Sequence, residues 1–134
     1  MVCTGNACRS PMAAAILQQR LAERGVDARV TSAGTMPWSS GATGPAVEVM
    51  REHGLDISGH ENRQMTRELV EEADLVLGMT RDHVSIAIAR STEARKTART
   101  VSTNPIASRV TRIIRNKLIA TTAGLLSNCS DCAN

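Results

Sequence analysis

Near the start of the chain, Cys3-Thr4-Gly5-Asn6-Ala7-Cys8-Arg9-Ser10 places a thiol and a guanidinium with five residues between them. The two groups suit one reaction. A cysteine thiolate is a strong nucleophile, and an arginine fork can hold two oxygens of a phosphate and follow them into the transition state. The segment lies where the apolar pair Met1-Val2 gives way to Ser10-Pro11, a hydroxyl followed by proline that reads as a helix start. At a strand-to-helix junction the loop amides and the helix N-terminus converge on one point, which makes an anion site. Gly5 is expected to let the backbone curl, and Cys3, in the same field, to favour its thiolate form. Ser10 is expected to cap the helix and to donate a hydrogen bond to the Cys3 sulfur. The expected chemistry is covalent phosphoryl transfer: Cys3 attacks phosphorus while Arg9 and the amides of Thr4, Gly5, Asn6, Ala7 and Cys8 hold the oxygens.

The rest of the chain must supply the strand and helices that position this loop. Met12 to Glu23 carries Ile16, Leu17 and Leu21 on one face and stops at Gly25, a helix pattern. Residues 28–33 read as a strand. Helices are predicted from Pro45 to His53, from Glu68 to Ala73 after Thr66, and from a Thr80 cap to about Ala89. Leu75 to Met79 is a compact apolar run of the kind buried in a parallel sheet. A weaker helical spacing follows Pro105, through Val110, Ile113, Ile114 and Leu118. Strands alternating with helices predict an α/β three-layer sandwich, with a small, mostly parallel sheet of about four strands flanked by helices. The histidines His53 and His83, which have no partner pattern, are expected to be solvated helix residues.

With 134 residues, a single domain is expected over residues 1–134. The core must be aliphatic, because the chain holds one Trp and neither Phe nor Tyr. No apolar run approaches the roughly 20 residues that span a bilayer, so a cytoplasmic protein with no membrane partner is expected. Charge is uneven: residues 1–89 hold 8 basic against 11 acidic side chains, and residues 90–134 hold 8 against 2. Such a basic end could meet nucleic acid, but a solvated surface is the commoner reason and nucleic acid is not the expected partner. Four cysteines without a secretory leader read as thiols. Cys129 and Cys132 have the spacing of a redox pair, but as a zinc site they are only half of one. Neither a metal nor a cofactor is expected.

The stretch from Val2 to Ala13 resembles the opening of the low-molecular-weight protein tyrosine phosphatases. The similarity continues through Ser32-Ala33-Gly34-Thr35, Trp38, His60-Glu61-Asn62-Arg63-Gln64 and Ala73-Asp74-Leu75-Val76-Leu77 with Met79, covering roughly residues 2–89. The resemblance implies that Cys3 is the nucleophile and Arg9 the phosphate clamp. It also implies that Asn6, Ser10, Ser32 and His60 form the network that holds the loop, and that Trp38 lines the substrate cleft. Cys8 would be the neighbour able to form a reversible disulfide with Cys3. The partners implied are a phosphotyrosine protein or a small aryl phosphate, with phosphate or a similar oxyanion in the loop.

The last third departs from that pattern. The family carries a late Asp-Pro whose Asp serves as general acid, and the 134 residues contain no Asp-Pro. Only Asp131 follows Asp82 among the aspartates, which leaves it as the sole late Asp for that role. Residues 90–134 read as divergent or truncated, and activity on poor leaving groups is expected to be weak. Two rivals follow. An arsenate reductase could use the same scaffold with Cys8, Cys129 and Cys132 as a disulfide relay, and a non-catalytic module could use the loop only to bind phosphate.

Overall fold

The computed structural model describes residues 1–37, 41–91 and 98–100. Trp38, Cys129, Asp131, Cys132 and the helix expected after Pro105 lie outside them. Eight elements follow in chain order: β1 (Val2–Cys3), α1 (Arg9–Ala22), β2 (Ala33–Gly34), α2 (Gly44–Glu52), α3 (Arg67–Glu71), β3 (Val76–Gly78), α4 (Arg81–Arg90) and β4 (Ala98–Thr100).

The four strands form one sheet in the order β2-β1-β3-β4, and every pairing is parallel. From β1 the chain crosses to β2 on one side, then returns past β1 to β3 and on to β4. The connections therefore cover both faces of the sheet. On one face Val2, Ala33, Val76 and Ala98 pack with Met65, Val70 and Ala87. Leu77, the next residue along β3, turns to the other face and meets Leu17 and Leu21 of α1 with Met1 and Val30. A second stripe of α1, Met12 and Ile16 with Cys8 ahead of it, packs on Ala46, Met50 and Ile57. With no Phe, Tyr or Trp among the described residues, methionines fill the volume: Met50 and Met65 are both fully buried, their flexible chains fitting irregular gaps.

A sheet wound in both directions leaves a crevice at the carboxyl ends of the strands where the direction reverses. Here that point lies beside β1 and β3, so the loop after β1 and the turn from β3 into α4 face one another. Two glycines permit the close approach. A Cβ at Gly34 would lie 2.6 Å from the carbonyl oxygen of Thr4, and one at Gly78 would lie 2.9 Å from Val84 Cγ2 and 3.0 Å from His83 Cβ.

The described helices fall within three residues of their predicted bounds, but three expectations need correction. Strand β2 is only Ala33–Gly34. The residues before it are tied to α1 instead, with the Val30 N–H donating to Gln18 Oε1 at 2.8 Å and Gln18 Nε2 to the Ala28 carbonyl at 2.9 Å. Ser10 does not cap α1: the helix starts at Arg9 with Cys8 at the N-cap position, and the Ser10 hydroxyl is committed to the loop. His83 is buried, 5% exposed, because Gly78 lets the first turn of α4 settle on the end of β3.

Candidate active site

The loop between β1 and α1 is held from outside by its carbonyl groups. The Thr4 carbonyl accepts from the Met36 N–H at 3.0 Å and that of Ala7 from the Thr43 N–H at 2.8 Å. The Gly5 carbonyl accepts from Asn62 Nδ2 at 3.3 Å, and that of Asn6 from His60 Nε2 at 2.7 Å. In a planar trans peptide the N–H points opposite to the C=O. Turning four successive carbonyls outward therefore turns the N–H groups of Gly5, Asn6, Ala7 and Cys8 toward the concave side. The Asn6 N–H shows the result directly, donating to Cys3 Sγ at 3.3 Å.

Cys3 is a free, buried thiol at the floor of this concavity. Its sulfur lies 2.9 Å from Ser10 Oγ. Asn6 Nδ2 donates to that same oxygen at 2.9 Å, so Ser10 accepts from Asn6 and has its own proton to give to the sulfur. Arg9, the first residue of α1, stands at the loop's far end, half-buried.

Asn6 is the centre of the support. Its φ of 56° lies in the left-handed region, so the curl expected at Gly5 is made by an asparagine, the non-glycine residue that tolerates it best. The side chain is 0% exposed. Besides Ser10, Nδ2 donates to Ser32 Oγ at 2.9 Å, and Oδ1 accepts from the Arg63 N–H at 3.0 Å. Arg63 Nε closes the ring on the Ser32 carbonyl at 2.7 Å. Replacing Asn6 by alanine removes three hydrogen bonds at about 1 kcal/mol each and adds about 1–2 kcal/mol of left-handed strain. A loss of about 4 kcal/mol is expected, read as a fall in the urea midpoint at constant slope. Asn6→Gly should recover the backbone part, and an unchanged midpoint in Asn6→Ala would refute this account of the loop.

The structure thus gathers Cys3, Asn6, Arg9, Ser10, Ser32 and His60 at one end of the sheet. Cys8 belongs to the α1–α2 core. A cavity of about 500 Å³ lies among the supports, walled by Ser32, His60, Asn62 and Arg63 together with Pro11 and Ala14 of α1. Sequence reasoning missed the bracing roles of Asn62 and Arg63, although it noted the segment that carries them. It also missed His83, whose ring touches Thr4 Oγ1 at 3.1 Å. The one local signal was Thr80-x-x-His83, a capping box with His in place of the usual Glu or Gln. Burial holds the His83 imidazole below its ordinary pKa; the charge of Arg9 acts in the same direction and that of Asp82 against it. Among the described residues no cluster of three or more His, Cys, Asp or Glu side chains is placed to hold a metal, and no helix is long and apolar enough to cross a membrane.

A parallel sheet of this order with a Cys-to-Arg anion loop at its switch point defines a class of cysteine phosphatase scaffold, and comparison with known proteins agrees. The sequence model of the low molecular weight phosphotyrosine protein phosphatases matches residues 1–109, and the chain belongs to that family. It is 52% identical over 80 residues to a probable low molecular weight protein-tyrosine-phosphatase, EpsP, of Ralstonia solanacearum, covering 59% of this chain and 52% of that protein. It is 44% identical over 86 residues to a protein-arginine-phosphatase of Bacillus subtilis, covering 63% and 57%. The chain thus spans little more than half the length of these curated relatives. In three dimensions it is similar to a crystal structure of a YwlE mutant from Bacillus subtilis, with a TM-score of 0.71, 31% identity, and coverage of 95% of this chain and 96% of that one.

Proposed function

We propose that the chain, as one domain over residues 1–134, is a cysteine phosphatase acting on phosphotyrosine proteins or small aryl phosphates. The supporting observation is the sulfur of Cys3, which faces the Asn6 N–H and the Ser10 hydroxyl beneath a loop whose amides turn inward. In this reading the Cys3 thiolate attacks phosphorus opposite the ester oxygen. The S–P bond forms as the P–O bond breaks, and the phenol oxygen departs with the bonding pair. Arg9 and the inward amides take the negative charge of the three remaining oxygens, which is largest in the transition state. Water then attacks the phosphocysteine, releasing inorganic phosphate and restoring the thiolate. Ser10, freed of any capping duty, steadies the sulfur as it leaves. Trp38 is assigned to the cleft wall on the family resemblance.

The intermediate can be trapped. Acid quenching during turnover of p-nitrophenyl phosphate should leave one phosphate per chain on the peptide that contains Cys3, located by mass spectrometry. Phosphate found on another residue, or none during active turnover, would overturn the mechanism. Because one relative is a protein-arginine-phosphatase, phosphoarginine is the second substrate class to assay. The arsenate-reductase reading gains nothing from the phosphatases that this chain resembles.

A further inference from the structure

The phosphatase reading leaves one buried titratable group at the crevice unused. His83 stands at the third position of α4 and spans the gap between the two halves of the switch point. Its Nδ1 accepts from the Thr80 N–H at 3.0 Å and lies 2.9 Å from Thr80 Oγ1. An Nδ1 that accepts carries no proton, so the ring's proton sits on Nε2. Nε2 is 3.1 Å from Thr4 Oγ1 and therefore donates to it. Thr4 directly follows the nucleophile, and its own hydroxyl proton is left for another acceptor.

We propose that His83 is a positioning residue for the phosphate site, fixing the Thr4 side chain so that its hydroxyl proton points at an oxygen of the bound phosphoryl group. The role rests on the loop being a phosphate site. Three features of the fold converge on it. Gly78 admits His83 against the strand end, Thr80 sets the tautomer, and the loop carries Thr4 to the ring. Arg9 is near enough for its charge to act on the imidazole, which places the pair beside the phosphate clamp. The arrangement is also sensitive to acid. Protonation of Nδ1 would set two donors, His83 and the Thr80 N–H, against each other and break the tether. Burial opposes that protonation most, the charge of Arg9 adds to it and that of Asp82 acts against it, so the ring holds its proton less readily than an ordinary histidine.

The test is a double-mutant cycle read by calorimetric titration of inorganic phosphate into wild type, Thr4→Val, His83→Ala, His83→Gln and the double variant Thr4→Val/His83→Ala. Each of Thr4→Val and His83→Ala should weaken phosphate about tenfold, the loss of one hydrogen bond to an anion. The double variant should be no weaker than either. His83→Gln should recover most of the affinity, since an amide can accept from Thr80 and donate to Thr4. As pH falls through the lowered pKa of His83 the ratio of wild-type to Thr4→Val affinity should shrink; the titration of phosphate itself cancels in that ratio. Additive losses, an unchanged affinity in His83→Ala, or a His83→Gln variant as weak as His83→Ala would overturn the proposal. The same proteins assayed with p-nitrophenyl phosphate separate the two ideas. Coupled binding without turnover would refute the phosphatase reading and keep His83 in its role, whereas turnover with additive binding losses would do the reverse.

Discussion

Cys3→Ser should release no detectable nitrophenol from p-nitrophenyl phosphate at mildly acid pH, a loss of at least ~10⁴-fold in turnover. Serine keeps the position and can still meet Ser10 and the Asn6 N–H, but its hydroxyl is a far weaker nucleophile than a cysteine sulfur. The two hydrogen bonds at the sulfur then face a poor nucleophile. Phosphate affinity should survive, because the amides of Gly5 to Cys8 and the Arg9 guanidinium do not depend on the sulfur. Turnover reduced less than tenfold would place the nucleophile elsewhere in the chain. Loss of turnover together with loss of phosphate binding would mean that the substitution had collapsed the loop, and the urea midpoint would show it.

The second large effect lies in the leaving group. General acid catalysis contributes roughly 10²–10⁴-fold, or about 3–5 kcal/mol of barrier, and the sequence contains no Asp-Pro to supply it. p-Nitrophenolate departs readily without a proton, while the phenol of phosphotyrosine does not. The kcat/KM for phosphotyrosine should therefore fall at least ~10²-fold below that for p-nitrophenyl phosphate, with a steep dependence on leaving-group pKa across substituted phenyl phosphates. Asp131→Asn should leave that dependence unchanged. Rates within about threefold on the two substrates would show that an acid is present, and a rise in steepness in Asp131→Asn would identify it.

The loop was legible because it is local. Cysteine, arginine, serine and proline fall within nine consecutive residues, and a strand followed at once by a helix leaves such a loop few shapes. The helices were legible for a similar reason: Thr66 and Thr80 precede periodic apolar runs, and α3 and α4 begin directly after them. Strand β2 was overread because Val30 and its neighbours have strand character, yet their backbone groups bond to Gln18, a partner that periodicity does not reveal. Strand β4 was not anticipated, since its three residues carry too short a pattern to stand out.

By itself, then, the sequence determined the loop that carries Cys3, Arg9 and Ser10 and the alternation of strand and helix, both of which depend on neighbours a few residues apart. Only the tertiary structure decided that Asn6 rather than Gly5 makes the left-handed turn, that Ser10 serves the sulfur instead of the helix end, and that His83 is buried against Thr4. The first and the last of those depend on contacts made across the fold. Asn6 tolerates its backbone because Ser32 and Arg63, 26 and 57 residues away, satisfy its amide. Thr4 and His83 meet, 79 residues apart, because the parallel sheet sets β1 beside β3 and brings the loops that follow them together.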